Sequence, residues 1–325
     1  MLILNQKEVQ KIIPLVEIGK VIERVEKAFL SYGLGKVQMP AKTYLYFKEF
    51  CGDLRIMPAF APNLKMAGTK IVNVHPNNPK NKLPTVMAAI ILNDAKTGLP
   101  LAFMDGTYIT GMRTGAAGAV AVKYLARKNA KTLGLVGAGQ QTLFQIAAIS
   151  QIRKIEEVFV YDINPKRIEF LSKELKEFGL KIRKADLKKA AGQDILVTTT
   201  PSAKPIVKKD WIALGSHINA IGADAEGKEE LEPAILKKGK IVIDDWAQAS
   251  HSGEINVPLR KGIINKKDIY SSLGEIVSGK KPGRENDREI TIFDSTGLAI
   301  QDLFTAEFVF REAKSKKIGR EINLL

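Results

Sequence analysis

The stretch KTLGLVGAGQQTLFQIAAIS, residues 131–150, decides how the rest of the chain is read. TLGLV has the short apolar run of a buried strand, Gly137-Ala138-Gly139 follows it at once, and QQTLFQIAAIS carries apolar residues at helical spacing. Glycines carry meaning in this context because a strand that feeds a helix through a tight turn leaves the helix's first N–H groups without partners. Gly137 allows the turn, and Gly139 lets the backbone approach a pyrophosphate, whose charge those amides favour. The third position of the fingerprint holds Thr142 where a glycine or alanine is usual, so an ordinary strand-to-helix turn stays open as the alternative.

The next segment, EVFVYDINPKR (157–167), adds a second element. Asp162 closes a strand about 20 residues past the glycines, where a carboxylate accepts hydrogen bonds from an adenosine ribose and repels a 2′-phosphate. This favours NAD over NADP. Asp162 as a simple turn opener before Pro165 is the plainer reading, and Lys166 and Arg167 keep NADP open. Strand and helix patterns then alternate through DILVTTT (194–200), SHINAIGA (216–223), PAILKKG (233–239) and KIVIDDW (240–246). Such alternation implies parallel βαβ units with helices on both faces, an α/β fold of the Rossmann-type doubly wound kind.

Upstream the texture differs. Residues 8–31 have helical periodicity, with Val16, Ile22, Val25, Phe29 and Leu30 as expected core contacts. Short strand-like runs follow: TYLYF (43–47), LRIMPAF (54–60), TKIVNV (69–74), TVMAAIIL (85–92) and PLAFMD (100–105). A small-residue helix, RTGAAGAVAVKYLARKNA (113–130), leads from this mixed, sheet-rich lobe into the glycine strand. With 325 residues, 45% of them hydrophobic, the chain is long enough for about two domains.

Composition excludes several functions. No apolar run reaches membrane-spanning length and the N-terminus lacks a signal-peptide pattern, so a cytoplasmic protein without a membrane partner is expected. A single cysteine, Cys51, forms no internal disulfide, and His75, His217 and His251 are too scattered for a zinc site, so no metal is expected. The formal charge of +15 is spread over helices interleaved with glutamates, and its few concentrated spots lack stacking aromatics. A nucleic-acid partner is not expected; an anionic small molecule suits the charge as well.

Lys70 raises a separate question. Alternation along TKIVNV puts Lys70, Val72 and Val74 on one strand face and Ile71 and Asn73 on the other, so the lysine shares a valine face. Snorkelling to water is the ordinary explanation. Arg113, at the start of the small-residue helix, and Arg55 and Lys42, in strand-like runs, are further cations suited to a carboxylate or phosphate.

Six segments taken together resemble the ornithine cyclodeaminase/μ-crystallin family: residues 35–47, 52–60, 67–118, VTTTPSAKPIV (197–207), HINAIGADAEGKEEL (217–231) and FDSTGLAIQD (293–302). The resemblance covers nearly the whole chain and is strongest to the family's archaeal alanine-oxidising branch. It implies a discontinuous, mixed α+β substrate-binding and dimerisation domain, residues 1–113 and 296–325, and an NAD-binding Rossmann domain, residues 114–295. It further implies that Lys70 and Asp224 are catalytic and that Lys42, Arg55 and Arg113 surround a substrate carboxylate. Thr85, Arg113, Gly137, Gly139, Gln140, Gln141, Asp162, Ile163, Asn164, Gly222, Lys228 and Ser295 match positions that contact the dinucleotide.

The reaction so implied is NAD-dependent conversion of L-alanine to pyruvate and ammonia by a homodimer. Lys70 would act as general base if desolvation and neighbouring cations bring its pKa near neutrality. The runner-up is cyclodeamination of L-ornithine to L-proline with bound NAD, for which no acidic residue clearly serves the δ-amine. A non-enzymatic dinucleotide-binding role, as in μ-crystallin, is the third; Lys70, Arg113 and Asp224 together argue against it, because binding alone needs neither base nor acid.

Overall fold

Pro14 interrupts the N-terminal helical pattern. Helix α1 (Gln6–Ile12) starts on a capping box in which Asn5 and Glu8 satisfy each other's backbone amides. It stops just before the proline, whose ring disfavours helical geometry at the preceding residue. A single 3₁₀ turn (Leu15–Glu17) resets the phase before α2 (Ile18–Gly33). The single helix expected over 8–31 is therefore two. Ile18, Val21, Ile22, Val25, Ala28 and Phe29 form the buried stripe of α2. Val16 sits in the 3₁₀ turn and is 49% exposed, and Leu30, one residue off the stripe, is 39% exposed. Neither takes the core position its spacing predicts.

The structure, a computed structural model, describes residues 1–324, and the chain divides into two compact units, Met1–Arg113 with Leu298–Leu325, and Thr114–Gly297. In the first, β1 (Leu2–Leu4) is followed by β2 (Thr43–Phe47), β3 (Gly52–Ala61), β4 (Met66–Val74), β5 (Val86–Asp94) and β6 (Pro100–Asp105). Strands β2 to β6 pair consecutively as an antiparallel meander, and β1 joins parallel to β6. The register sets Lys70 opposite Met57 on one side and Ile90 on the other, with Met104 beyond. The side of the sheet that carries Lys70 also carries Met57, Val72, Ile90, Leu92, Ala102 and Met104, all buried. On the other side Ile71 and Phe103 are exposed. Helix α3 (Thr107–Leu125) follows, starting where Asp105 accepts the amides of Thr107 and Tyr108. Because Asp105 caps it, α3 begins before the expected position, and Arg113 lies in its second turn rather than at its start.

The second unit runs β7 (Thr132–Val136), α4 (Gln140–Ile152), β8 (Glu157–Tyr161), α5 (Pro165–Glu174), β9 (Lys181–Lys184), α6 (Leu187–Ala191), β10 (Ile195–Thr198) and β11 (His217–Ala220). It continues with α7 (Pro233–Lys238), β12 (Lys240–Ile243), α8 (Trp246–Ser252), α9 (Asn256–Arg260), β13 (Ile269–Ser272), α10 (Leu273–Val277) and β14 (Thr291–Asp294). Its eight strands are all parallel, in the order β13-β12-β14-β11-β10-β7-β8-β9. The chain leaves β7 in one direction and returns beside it as β10, so the switch point of a doubly wound, Rossmann-type sheet falls between these two strands. The glycines of α3 explain its small-residue texture: a Cβ on Gly115 would lie 2.4 Å from Phe144 O, and one on Gly118 2.1 Å from Gln145 Oε1. Helices α3 and α4 approach that closely.

The chain ends with α11 (Ala299–Lys316) and β15 (Arg320–Glu321), which return to the first unit. β15 pairs antiparallel with β1, completing a seven-stranded sheet, and α11 packs on α2 and on β3, β4 and β5. Among the described residues no helix is long and apolar enough to cross a membrane.

The tightest packing in the parallel sheet is at Gly134 in β7, where an added Cβ would fall 1.8 Å from Ala190 O. Gly134→Ala must push α6 off the sheet, and overpacking against fixed backbone costs about 1–3 kcal/mol. The expected outcome is a melting temperature lower by about 2–10 °C, read by thermal unfolding; an unchanged value would show that α6 yields freely.

Candidate active site

On β4, between Met57 and Ile90, the Lys70 side chain is only 1% exposed. Its Nζ lies 2.7 Å from Asp302 Oδ2 on α11 and donates to Thr110 Oγ1 on α3 at 3.3 Å. The Thr110 hydroxyl itself donates to Gly106 O at 2.7 Å. Asp302 Oδ1 accepts Arg113 Nε at 3.0 Å, and Arg113 Nη1 donates to Gln301 Oε1, also at 3.0 Å. Burial, with help from the positive charges of Arg113 and Lys42, lowers the Lys70 pKa to about 7 against the opposing pull of Asp302. A lysine at that value exchanges protons at neutral pH.

Arg55 is also buried, and both arms of its fork close on Asp53: Nε to Oδ1 at 2.8 Å and Nη2 to Oδ2 at 3.1 Å. Its guanidinium carbon sits 5.5 Å from the centre of the Tyr44 ring. Lys42, just before β2, is half-buried. Thr85 also lies in this unit, where its carbonyl accepts His75 N at 2.8 Å. The first unit thus brings Lys70, Arg113 and Asp302 into one ion-paired cluster and holds Arg55 on a carboxylate of its own strand.

In the second unit, Gly137 follows β7 with φ +101°, and a Cβ there would lie 2.8 Å from Thr199 Oγ1. No L side chain suits both the backbone and the space. Thr142, the departure from the fingerprint, is fully buried and donates to Gly137 O at 2.8 Å, with Thr199 Oγ1 2.9 Å away. Its hydroxyl therefore fastens the turn that a smaller residue would leave open. Asp162 accepts Ala138 N at 2.7 Å and Asn164 N at 2.7 Å, which ties the end of β8 to the glycine turn. Gln140 and Asn164 are exposed, and Ile163, at 89% exposure, is an apolar side chain left in water beside Asp162.

These residues suit a dinucleotide. Gly139 caps α4 without a side-chain hydrogen bond, and a Cβ added to it would meet nothing within 4 Å, so the first turn of a 13-residue helix faces open space. Gln141 Oε1 and Ser295 Oγ are buried without hydrogen-bond partners among the described residues. Orphaned polar atoms of this kind call for an explanation, and a bound ligand supplies one.

The loop after β11 carries Gly222, Asp224 and Lys228. Asp224 Oδ1 is 2.5 Å from Lys228 Nζ, so the expected acid and the expected dinucleotide contact are partners of each other. Glu230 braces this loop from within: its carboxylate accepts Thr200 N at 2.6 Å, Thr200 Oγ1 at 2.7 Å and Gly222 N at 3.0 Å. Glu254 accepts the amides of Glu230 and Leu231, Asp294 those of Glu254 and Ile255, and Asp244 those of Thr296 and Gly297. Sequence reasoning missed Asp302, Thr110, Gln301, Asp53 and Glu230. The available signal for Asp302 was a carboxylate among the apolar residues of LAIQDLFTAEF (298–308).

The chain is an enzyme of the ornithine cyclodeaminase/mu-crystallin family, whose sequence model matches residues 2–317. It is 51% identical over 321 residues to the alanine dehydrogenase of Archaeoglobus fulgidus, across 99% of this chain and 98% of the relative. Among solved structures it resembles an archaeal alanine dehydrogenase dimer with bound NAD, at TM-score 0.95 and 50% identity over 100% of this chain and 99% of that one. It also resembles the Delta(1)-pyrroline-2-carboxylate reductase of Thermococcus litoralis in complex with NADH and L-proline, at TM-score 0.95 and 40% identity over 99% and 100% of the two chains.

The carboxylates under the loops carry a pH signature. Burial raises Glu230 to about 7 and Asp294 to about 8, the latter helped by the charge of Asp244. A carboxyl whose folded pKa exceeds its unfolded value stabilises the fold fully below the unfolded pKa and loses that contribution as pH rises through the folded one. Thermal stability should therefore fall from about pH 5 to about pH 8. Asp294→Asn should be less stable at the acid end and show a shallower slope in calorimetry; an equally steep slope would remove Asp294 as a source.

Proposed function

We propose that this protein is an NAD-dependent dehydrogenase that interconverts L-alanine and water with pyruvate and ammonia. The observation that carries the reading is the buried Lys70 amine, poised near pH 7 against Asp302, whose other oxygen is held by Arg113. A protein that only stored or carried a dinucleotide would have no use for a desolvated lysine beside two buried charges, which costs stability. Similarity to the Archaeoglobus alanine dehydrogenase supports alanine as the substrate.

Bound NAD supplies the acceptor for the α-hydride. The chain's own residues do the rest. Arg113, Arg55 and Lys42 hold the substrate carboxylate; a guanidinium presents two parallel donors to it. Lys70, neutral in part of the population at pH 7, takes the proton that the amino acid must lose before hydride can leave, and later returns one to departing ammonia. Asp224, keyed in place by Lys228, is the second proton carrier. On the nucleotide side, the amides of α4 take the pyrophosphate, Asp162 the adenosine ribose, and Gln140, Gln141, Ile163, Asn164, Gly222, Lys228, Ser295 and Thr85 complete the contacts.

We read the protein as a homodimer. The sheet of the first unit leaves one face with Ile71 at 40% and Phe103 at 44% exposure, beside the half-buried Ile56 and Ile91. Apolar sheet faces of this kind are commonly covered by a partner, and the similar archaeal structure is described as a dimer.

A second reading, reduction of a cyclic imino acid to L-proline, is favoured by the likeness to the Thermococcus reductase. An absorbance assay separates the readings. NADH should form on adding L-alanine to enzyme and NAD, whereas NADH consumption with Delta(1)-pyrroline-2-carboxylate and none of the former would transfer the assignment. Proline formed from ornithine without net NADH would mark a cyclodeaminase. Lys70→Ala should keep NAD affinity and lose at least about 100-fold in kcat; wild-type turnover would refute the base. Asp162→Ala should weaken NAD binding and relax its preference over NADP, and unchanged selectivity would count against its ribose role.

A further inference from the structure

A buried neutral amine has one lone pair and two N–H bonds, and the groups around it decide which way the lone pair points. Two acceptors face the Lys70 amine. Asp302 Oδ2, at 2.7 Å, is a carboxylate oxygen and accepts only. Thr110 Oγ1, at 3.3 Å, has its own hydrogen committed to Gly106 O at 2.7 Å, so it too faces Lys70 as an acceptor. Asp302 cannot swing away, because its other oxygen is held by Arg113 Nε at 3.0 Å, and Arg113 is in turn fixed on Gln301 Oε1.

We propose that Asp302 and Thr110 are positioning residues: together they take both N–H bonds of the neutral Lys70 amine and leave its lone pair as the one free site, turned to the proton of the bound amino acid. This rests on the reading of Lys70 as the base, and adds what makes that base directional. The charged groups that bear on Lys70 from the surrounding elements are Asp302 from α11, Arg113 from α3 and Lys42 from the segment before β2. Of these, Asp302 is the carboxylate in direct contact, so its charge is what holds the proton affinity of the amine up to a useful range.

The isosteric variant Asp302→Asn discriminates. Arg113 Nε still requires an acceptor, so the amide oxygen turns to Arg113 and the NH2 group faces Lys70. The lone pair of Lys70 then accepts from that NH2 and is lost to the substrate. Two measurements on the purified full-length protein test this. In NMR titrations of 13Cε-labelled lysines, the resonance that titrates near pH 7 and is absent from Lys70→Ala should move down by about one pH unit in Asp302→Asn. In steady-state kinetics with L-alanine and NAD, Asp302→Asn should lose at least about 100-fold in kcat, and Thr110→Val about tenfold, without change in the KM for NAD. Thr110→Ser, which restores the acceptor, should recover most of that loss.

An unshifted lysine titration in Asp302→Asn, or Thr110→Val and Thr110→Ser with the same kcat as wild type, overturns the proposal. Should Asp302→Asn not fold, the Thr110 pair decides alone. The titration needs no substrate, so it separates the two levels of inference: an active Lys70→Ala refutes the base, whereas an inactive Lys70→Ala beside an unaltered Asp302→Asn refutes only the positioning.

Discussion

A cation inside a sheet is the constraint from which the first unit follows. Leaving an ammonium in an apolar interior without a partner costs several kcal/mol, and removing one member of a buried pair typically costs about 3–5 kcal/mol. Lys70 on β4 finds its partner on α11, which lies at the far end of the chain, so the last helix has to return to the first sheet in one register. Arg113, on the opposite side of Asp302, adds α3 to the same lock. Strand β15 then closes on β1, and the N-terminal ammonium donates to Ile322 O at 2.9 Å, so both ends of the chain are fastened in the same unit. The discontinuity of the domain is thus the geometric consequence of where the counter-charge is encoded.

The second unit solves a different problem with the same material. Its central strands are buried on both faces, and several of its buried carboxylates lie in or beside the loops that join the elements. Four carboxylates, Glu230, Glu254, Asp294 and Asp244, lie fully or almost fully buried there, and each accepts backbone amides from loops that follow the strands. A carboxylate accepting two or three N–H groups acts as a rivet between loop segments that have no ladder of their own. The loop bearing Asp224 and Lys228 and the turn Ser295–Gly297 are both held this way, which fits a site that must keep its shape while its ligand exchanges.

Much of this was legible in the residues because it is local. The glycine turn, the alternation of strands and helices after residue 131, and the valine face around Lys70 depend on neighbours within a few positions. Family wording then supplied the assignment, and the match over residues 2–317 bears it out. What escaped is non-local or depends on phase. Asp302 looks like one more polar residue of a helix until β4 is placed beneath it, and Asp53 gains its role only once Arg55 is seen to fold back on it. Val16 was misplaced because Pro14 shifts the helical phase, Leu30 because it lies one residue off the buried stripe of α2, and the start of α3 was set too late because the cap comes from the last residue of β6. Thr142 looked like a flaw in the fingerprint and is a fastening of it.

Charge balance in the first unit bears on substrate class. With Lys70 neutral, Arg113 is balanced by Asp302, and Lys42, whose charge also bears on Lys70, leaves one positive charge in excess. One substrate carboxylate neutralises it. A zwitterionic amino acid that passes its ammonium proton to Lys70 leaves the total unchanged, so the proton can move without building charge in a medium where charge is costly.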